Sequence, residues 1–170
     1  MDRNLVLSLF LCLCLCVQVL AVTTIETTNG WTTGSVGTWG EPVSATVGQT
    51  FTVGIDNRLD SFTFFVDDRV SPDFVDFAAY VMEWDINKAT GSILFQSNAL
   101  TTTNNNGLDG WEAFTIDTDG LFLTEGKKYV AFFSASSFFD AQIGLADIGF
   151  AGETYTDGMF VLSVSPKAGQ

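Results

Sequence analysis

The chain has 170 residues, of which 20 are acidic, seven are basic and none is histidine, so the net charge at pH 7 is −13. The basic residues are scattered, which leaves no cationic patch for the phosphates of nucleic acid or of anionic membranes. The lack of histidine excludes Ser-His-Asp and Cys-His catalysis, and with cysteine confined to positions 12, 14 and 16 it argues against ordinary zinc, copper or haem sites.

The first 21 residues are predicted to be a cleaved secretion signal. A short polar start is followed by an apolar run over residues 5–20, about the length of a signal-peptide hydrophobic region. A transmembrane anchor is the less favoured alternative, because the run is shorter than the roughly 18–20 residues that span a bilayer. Cleavage after Ala21 would leave residues 22–170 as one secreted, extracellular domain without cysteine and without a transmembrane anchor.

Residues 22–170 carry the short alternating patterns typical of β-strands, separated by turn signals. The predicted strands are 50–55, 59–66, 77–86, 92–97, 111–116, 121–123, 128–136, 141–150 and 159–165. No segment shows a sustained helical period. Many short strands rich in Phe, Val, Thr and Ile predict an all-β fold, a single antiparallel β-sandwich of jelly-roll type.

Alternation also predicts which side chains share a face of a strand. In the strand 59–66, Phe62, Phe64 and Val66 fall on one face, with Leu59 and Phe65 on the other. In the strand 77–86, the even-numbered residues are predicted to form the buried face. These are Ala78, Tyr80, Met82 and Trp84.

The strand patterns resemble those of small secreted bacterial β-sandwich proteins of the PEP-CTERM-associated type. The matching segments are "GQTFTV", "LDSFTFFV", "FAAYVMEW" and "LTEGKKYVAF", within residues 48–136. The resemblance implies a β-sandwich associated with the cell exterior and exopolysaccharide, and it implies no active site. The sequence lacks the sorting motif of that group after "MFVLSVSPKAGQ", so free secretion is favoured over surface retention.

One motif points to enzymatic chemistry. Laminarinase-type jelly-roll glycosidases carry a Glu-x-Asp-x-x-Glu strand, and "MEWDINK" supplies Glu83 and Asp85 at the first two positions. The third position is Lys88, and a retaining glycosidase needs both of its carboxylates. The sequence therefore favours a non-catalytic protein, with a carboxylate-based glycosidase as the weaker alternative.

Acidic loops suggest calcium as the one possible cofactor, since Ca²⁺ prefers oxygen ligands. The segment "DTDGLFLTE" echoes an EF-hand loop, but Glu125 comes too early for the twelve-residue spacing. The alternatives are that the acidic residues serve solubility and that Asp119-Gly120 is a tight turn between two strands. The candidate metal ligands are Asp56, Asp60, Asp117 and Asp119.

Aromatic residues in polar loops predict a carbohydrate-binding site. Trp31 lies in a Gly/Thr-rich segment together with a second tryptophan, and a third follows the polar stretch 98–110. Indole rings pack on the CH faces of sugars while amides, carboxylates and hydroxyls bind the sugar hydroxyls. The candidate ligand-binding residues are Trp39, Trp111, Tyr155, Asn105 and Asp109.

Three functions remain open at this point. The leading one is a secreted, non-catalytic β-sandwich that binds a polysaccharide or the extracellular matrix. The second is a structural or self-assembling surface protein, in which the tryptophans close the ends of the core. The third is the glycosidase. Tryptophans exposed in one groove favour binding, and buried tryptophans favour a structural role.

Overall fold

A computed structural model of the chain describes residues 23–28, 31–32, 34–103, 110–152 and 155–163. In these ranges it contains ten β-strands and no helix, hence no helix long and apolar enough to cross a membrane. The strands are β1 (Ser35–Glu41), β2 (Thr46–Thr52), β3 (Arg58–Asp68), β4 (Asp76–Asp85), β5 (Lys88–Gln96), β6 (Leu100–Thr101), β7 (Glu112–Phe122), β8 (Lys128–Ser134), β9 (Gly144–Gly149) and β10 (Phe160–Ser163).

The strands form two antiparallel sheets. One has four strands in the order β1-β9-β3-β7, and the other has six, in the order β10-β2-β8-β4-β5 with β6 pairing β4. Successive strands alternate between the two sheets almost throughout, which is the arrangement of a jelly roll. The predicted all-β, single-domain sandwich is confirmed.

The core lies between the two sheets and is strongly aromatic. The four-stranded sheet contributes Trp39, Val66 and Ile148, and the six-stranded sheet contributes Phe77 and Phe133, all 0–1 % exposed. The ring of Phe133 lies 4.7 Å from that of Phe77, centroid to centroid. These large rings fill the space between the sheets and supply the hydrophobic stabilisation that a chain of this length needs.

The two ends of the sandwich are named here by the ends of β7. The Trp111 end is where β3 finishes and β7 begins, and the Phe122 end is where β3 begins and β7 finishes, since Arg58 pairs with Phe122. A second apolar cluster closes the Phe122 end, with Val53, Leu123 and Tyr129 buried against Leu59 and other residues of both sheets. The end loops are therefore anchored to a small core of their own.

Three glycine-containing segments were predicted wrongly because they form bulges inside strands. Gly37, with φ of 53°, marks a register shift within β1, a strand that the sequence did not predict. Gly91, with φ of 74°, lies within β5, which begins at Lys88 and so includes residues that the predicted strands 77–86 and 92–97 left outside. Asp119 and Gly120, with φ of 55° and 71°, bulge inside a continuous β7 instead of separating two strands.

Two predicted faces were also wrong. An irregularity between Leu59 and Ser61 brings Leu59 to the core side of its sheet, so Phe65 alone of that predicted pair faces outward. In β4 the core side holds Phe77, Ala79 and Val81, while Tyr80 and the other even-numbered residues lie on the outer face of the six-stranded sheet. There Tyr80 stacks on Phe132, with ring centroids 5.1 Å apart.

Candidate functional site

Three aromatic side chains meet on the outer face of the four-stranded sheet, at the Trp111 end. The ring of Trp31 lies 5.2 Å from that of Phe65 and 4.9 Å from that of Trp111, the latter in an edge-to-face contact. All three residues are half-buried, so each ring contacts its neighbours and keeps part of its surface in solvent. These residues are referred to below as the aromatic patch.

The strands determine where each ring of the patch lies. Phe65 points outward because Phe64 and Val66, its neighbours in β3, point into the core. Ala113 of β7 pairs with Phe65, and Trp111 occupies the next outward position toward the end of the sheet. The small side chain at position 113 leaves room for the indole rings on both sides.

Trp31 is held over the sheet by both of its N–H groups. Its backbone N–H donates to the carbonyl of Thr28 at 2.8 Å, and its indole Nε1 donates to the carbonyl of Gly34 at 2.7 Å. The ring covers Gly149 of β9, where a Cβ would lie 2.9 Å from Cζ2 of Trp31. A glycine is therefore required beneath the indole, and the patch is preorganised.

Polar side chains surround the patch on the same face. The hydroxyls of Thr63 and Thr115 lie 2.8 Å apart on one side of it. On the other side, Arg69 donates from Nε to Asp147 Oδ1 at 2.7 Å, and Asp67 lies opposite Asp147 in the sheet. Hydroxyls, carboxylates and a guanidinium thus border half-buried rings, which is the mixture that sugar-binding surfaces use.

A cleft begins beside the patch, at Phe65, which is the one patch residue that lines it, and extends toward Phe160 of β10. Its volume is about 410 Å³, including the solvent-filled space at its mouth. Several of its lining groups can donate or accept hydrogen bonds. The lining residues are Thr27, Thr28, Gln49, Thr63, Phe64, Phe65, Gly149, Phe150, Ala151, Gly152 and Phe160.

The structure separates the two tryptophans that the sequence predicted as ligand contacts. Trp111 belongs to the aromatic patch, half-exposed on the sheet. Trp39 is fully buried, its Nε1 donates to the carbonyl of Ala45 at 3.1 Å, and its ring packs on Phe77. The prediction of Trp39 as a binding residue was therefore wrong, because a core side chain cannot reach a ligand.

The other predicted ligand contacts do not join the patch within the described residues. Tyr155 lies at the Phe122 end, where its hydroxyl accepts a 3.3 Å hydrogen bond from the backbone N–H of Thr52. It fixes the turn before β10 against the end of β2. Asn105 and Asp109 lie outside the described residues.

Of the four predicted metal ligands, Asp56, Asp60 and Asp117 each make a separate local contact, and Asp119 takes part in the third through its backbone N–H. Asp56 accepts from the backbone N–H of Thr23 at 3.1 Å, and Asp60 forms a 2.8 Å salt bridge with Arg58. Asp117 accepts from the backbone N–H of Asp119 at 2.8 Å, which supports the bulge of β7. Across the ranges that the structure describes, no three acidic, histidine or cysteine side chains are grouped to hold a metal ion. Calcium binding stays a prediction.

The carboxylate pair of the glycosidase motif is split between two environments. Glu83 lies on the core-facing side of β4 near its end and accepts a 2.8 Å hydrogen bond from Nζ of Lys127. This contact raises the pKa of Lys127, first through the hydrogen bond and then through the carboxylate charge. Asp85 is exposed at the β4–β5 turn, where its backbone lies opposite that of Lys88 in the sheet. Glu83 thus has a lysine as its partner.

Phe65, Thr63 and Asp67 were missed as site residues, although the sequence holds a signal for them. On β3 from Ser61 onward the outward positions alternate with core positions, and a phenylalanine among Ser, Thr and Asp is unusual on a solvent-facing strand surface. Trp31 was named in the aromatic segment predicted to bind carbohydrate, but it was left out of the candidate ligand-binding residues. Its place on the patch depends on Gly149, more than a hundred residues away, which no local pattern reveals.

No family model, curated protein or solved structure matches this chain. The resemblance to PEP-CTERM-associated proteins stays a prediction.

Proposed function

We propose that the protein is a secreted, non-catalytic β-sandwich that binds polysaccharide through the aromatic patch and its cleft. The observation that carries this proposal is the joining of Trp31, Phe65 and Trp111 on an outward sheet face bordered by polar side chains. Sugars have apolar CH faces and polar edges, so a ligand of this kind matches both parts of the surface.

The electrostatics favour a neutral glycan. The chain carries a net charge of −13, which disfavours acidic polysaccharides. Beside the patch, the only described cation is Arg69, and Asp147 already neutralises it at 2.6 Å. The remaining polar groups at the patch are mainly threonine hydroxyls, which suit the hydroxyls of an uncharged sugar.

The test is binding of the protein to a panel of immobilised neutral and acidic polysaccharides, compared with Trp31→Ala and Trp111→Ala. We expect saturable binding to at least one neutral polysaccharide, reduced at least tenfold by either substitution, since a buried aromatic contact contributes on the order of 1–3 kcal/mol. Parallel measurements with calcium and with chelator address the predicted calcium.

Trp84→Ala is the matched control. Trp84 is also half-buried, but it lies on the outer face of the opposite sheet, so its removal should leave binding unchanged. Binding to no polysaccharide, or equal loss with all three substitutions, would contradict the proposal and favour a structural role for the protein.

A further inference from the structure

The three rings of the aromatic patch do not share a plane. The ring of Trp31 is tilted by 37° to that of Phe65 and stands at 75° to that of Trp111. The two indoles therefore form a corner, in which one ring is the floor and the other is the wall. A corner of this kind surrounds part of a sugar ring, whereas a flat ligand surface can lie on only one of the two indoles.

This angle is built into the structure, because Trp31 is held on two sides. Its indole Nε1 donates to the carbonyl of Gly34 at 2.7 Å. Its ring lies against the backbone of β9, where a Cβ at Gly149 would be 2.9 Å from Cζ2 and 3.2 Å from Cη2 of the indole. Turning the ring parallel to that of Trp111 would break the hydrogen bond or the contact with β9. The patch is therefore a corner before any ligand binds.

Polar groups on both sides of the patch limit the length of ligand that it can hold. Thr63 and Asp67 lie on the outer face of β3 on either side of Phe65, and their separation of four residues is about 13 Å along a strand. Neighbouring strands of a sheet are rotated by about 20–25° relative to each other, so the polar groups on β3 and β7 do not lie in one plane either. A few sugar units span this distance.

The cleft beside the patch adds walls to the site. Two segments outside the strands line it together with Phe65, namely residues 27–28 before β1 and residues 150–152 after β9. Its volume of about 410 Å³, with its solvent-filled mouth, falls within the range of about 300–1,000 Å³ that is usual for ligand sites. A single chain can enter such a cleft, but the extended face of a crystal cannot.

We infer, building on the proposed function, that the patch binds a short stretch of a single, hydrated glycan chain and excludes the flat face of a crystalline polysaccharide. The observation that carries this is the 75° angle between the two indoles. A crystalline face presents rows of coplanar sugar rings, which need coplanar aromatic side chains to bind them. A single chain can turn its rings to follow the corner.

The first experiment compares the same polysaccharide in two physical forms. Binding of the protein to swollen, amorphous cellulose and chitin is measured beside binding to microcrystals of the same polymers, and soluble mannan and dextran are included in the series. We expect binding to at least one amorphous or soluble polymer that is about tenfold tighter than binding to any crystal, for equal accessible surface. The physical reason is that a flat face loses contact with one of the two indoles.

The second experiment measures the length of the site by calorimetry, with fragments of increasing length of the polysaccharide that binds best. The affinity should rise until a fragment reaches about 13 Å and then stay constant. Thr63→Ala should weaken the binding of such fragments about three- to tenfold, since one hydrogen bond to the sugar is lost. Ser61→Ala is the matched control, because Ser61 is exposed on the same face of β3 but lies beyond Thr63.

The possible results distinguish a failure of this inference from a failure of the proposed function. Equal or tighter binding to crystals would overturn the inference and leave polysaccharide binding intact. So would an affinity that keeps rising with fragment length, or an equal loss in Thr63→Ala and Ser61→Ala. Binding to none of these polymers in any form would contradict the proposed function, and the inference would fall with it.

Discussion

The indole of Trp39 packs edge-on against the ring of Phe77, with centroids 5.0 Å apart, and so joins β1 of one sheet to β4 of the other. Its Nε1 also donates to the carbonyl of Ala45, so the polar atom of this fully buried side chain is satisfied. Trp39 is therefore a bridge between the sheets and not part of a ligand surface.

Replacing Trp39 by alanine should destabilise the protein by about 3–5 kcal/mol, because it opens a large cavity between the sheets. Urea unfolding followed by far-UV circular dichroism measures the change. Trp84→Ala should cost less than half as much, since Trp84 is only half-buried. Trp39→Phe, which refills most of the cavity, should fold and keep the polysaccharide binding of the parent; lost binding in a folded Trp39→Phe protein would contradict a purely structural role.

Gly149→Ala should displace Trp31 from the aromatic patch. A Cβ at position 149 would lie 2.9 Å from the Trp31 ring and 3.1 Å from Cβ of Phe65. We expect a red shift of the tryptophan emission and weaker polysaccharide binding, with a smaller loss of stability than for Trp39→Ala. Gly54→Ala is the matched control, because a Cβ there meets nothing within 4 Å. Identical spectra for the two variants would show that Trp31 does not depend on Gly149.

The bulge of β7 predicts that Gly120→Ala lowers the stability of the protein more than Gly91→Ala does. Gly120 and Gly91 have φ of 71° and 74°, so alanine at either position costs about 1–2 kcal/mol for the left-handed backbone. At Gly120 alone, the added Cβ would meet the guanidinium of Arg58, 2.3 Å from its Nε. Displacing Arg58 weakens its exposed salt bridge with Asp60, so Gly120→Ala should cost about 0.5–1 kcal/mol more than Gly91→Ala in urea unfolding.

An Arg58→Ala background tests the cause of that difference. There the extra cost of Gly120→Ala should vanish, because the clashing side chain is gone. Equal costs for Gly120→Ala in both backgrounds would assign the effect to the backbone alone.

The segment that leads into Trp31 should loosen in acid. The hydroxyl of Thr28 hydrogen-bonds to the Glu26 carboxylate, which lowers the pKa of Glu26 below 4.5; the backbone N–H of Thr28 adds to this at 2.7 Å. Because the pKa of Glu26 is lower in the folded protein than in the unfolded chain, the ionised carboxylate stabilises the fold above about pH 4.5. This stabilisation is lost as the pH falls through the folded-state pKa of Glu26. Thr28 in turn accepts from the backbone N–H of Trp31.

Glu26→Gln removes this titration and keeps an acceptor. The parent should be slightly more stable than the variant above pH 4.5, and the difference should shrink as the pH falls below that value. Thermal unfolding from pH 7 to pH 3 measures it. A constant difference across this range would exclude the Glu26 carboxylate as its source.

The sequence predicted strands best where apolar and polar residues alternate without interruption. The segments of β3, β4 and β8 were found because their alternation is long and rich in Phe and Val. By contrast, Gly37 and the Asp119-Gly120 pair carry the same residues that make turns, and only the pairing of distant strands shows that they are bulges. Sequence alone could not distinguish these two uses of glycine.

The predictions for the faces of β4 and for the role of Trp39 were wrong for a related reason. Both faces of β4 carry large apolar residues, so alternation separates Val81 from Met82 without saying which faces the core. Trp39 lies among Gly and Thr, and Trp111 follows Gly and Asp, yet one is buried by Phe77 and the other is on the surface. Burial is decided by residues far away in the chain, which composition does not record.

The alternation of successive strands between the two sheets has a consequence for how the chain is made. In the order β1-β9-β3-β7, no two neighbours are consecutive in the chain, and in the six-stranded sheet only β4 and β5 are. Strand β1 pairs with β9, and β2 pairs with β8 and β10. Neither sheet can therefore be completed until nearly the whole chain has been synthesised. Topologies dominated by such distant pairings fold slowly. The core, which joins Trp39 of β1 to Ile148 of β9, therefore cannot form before β9 has been made.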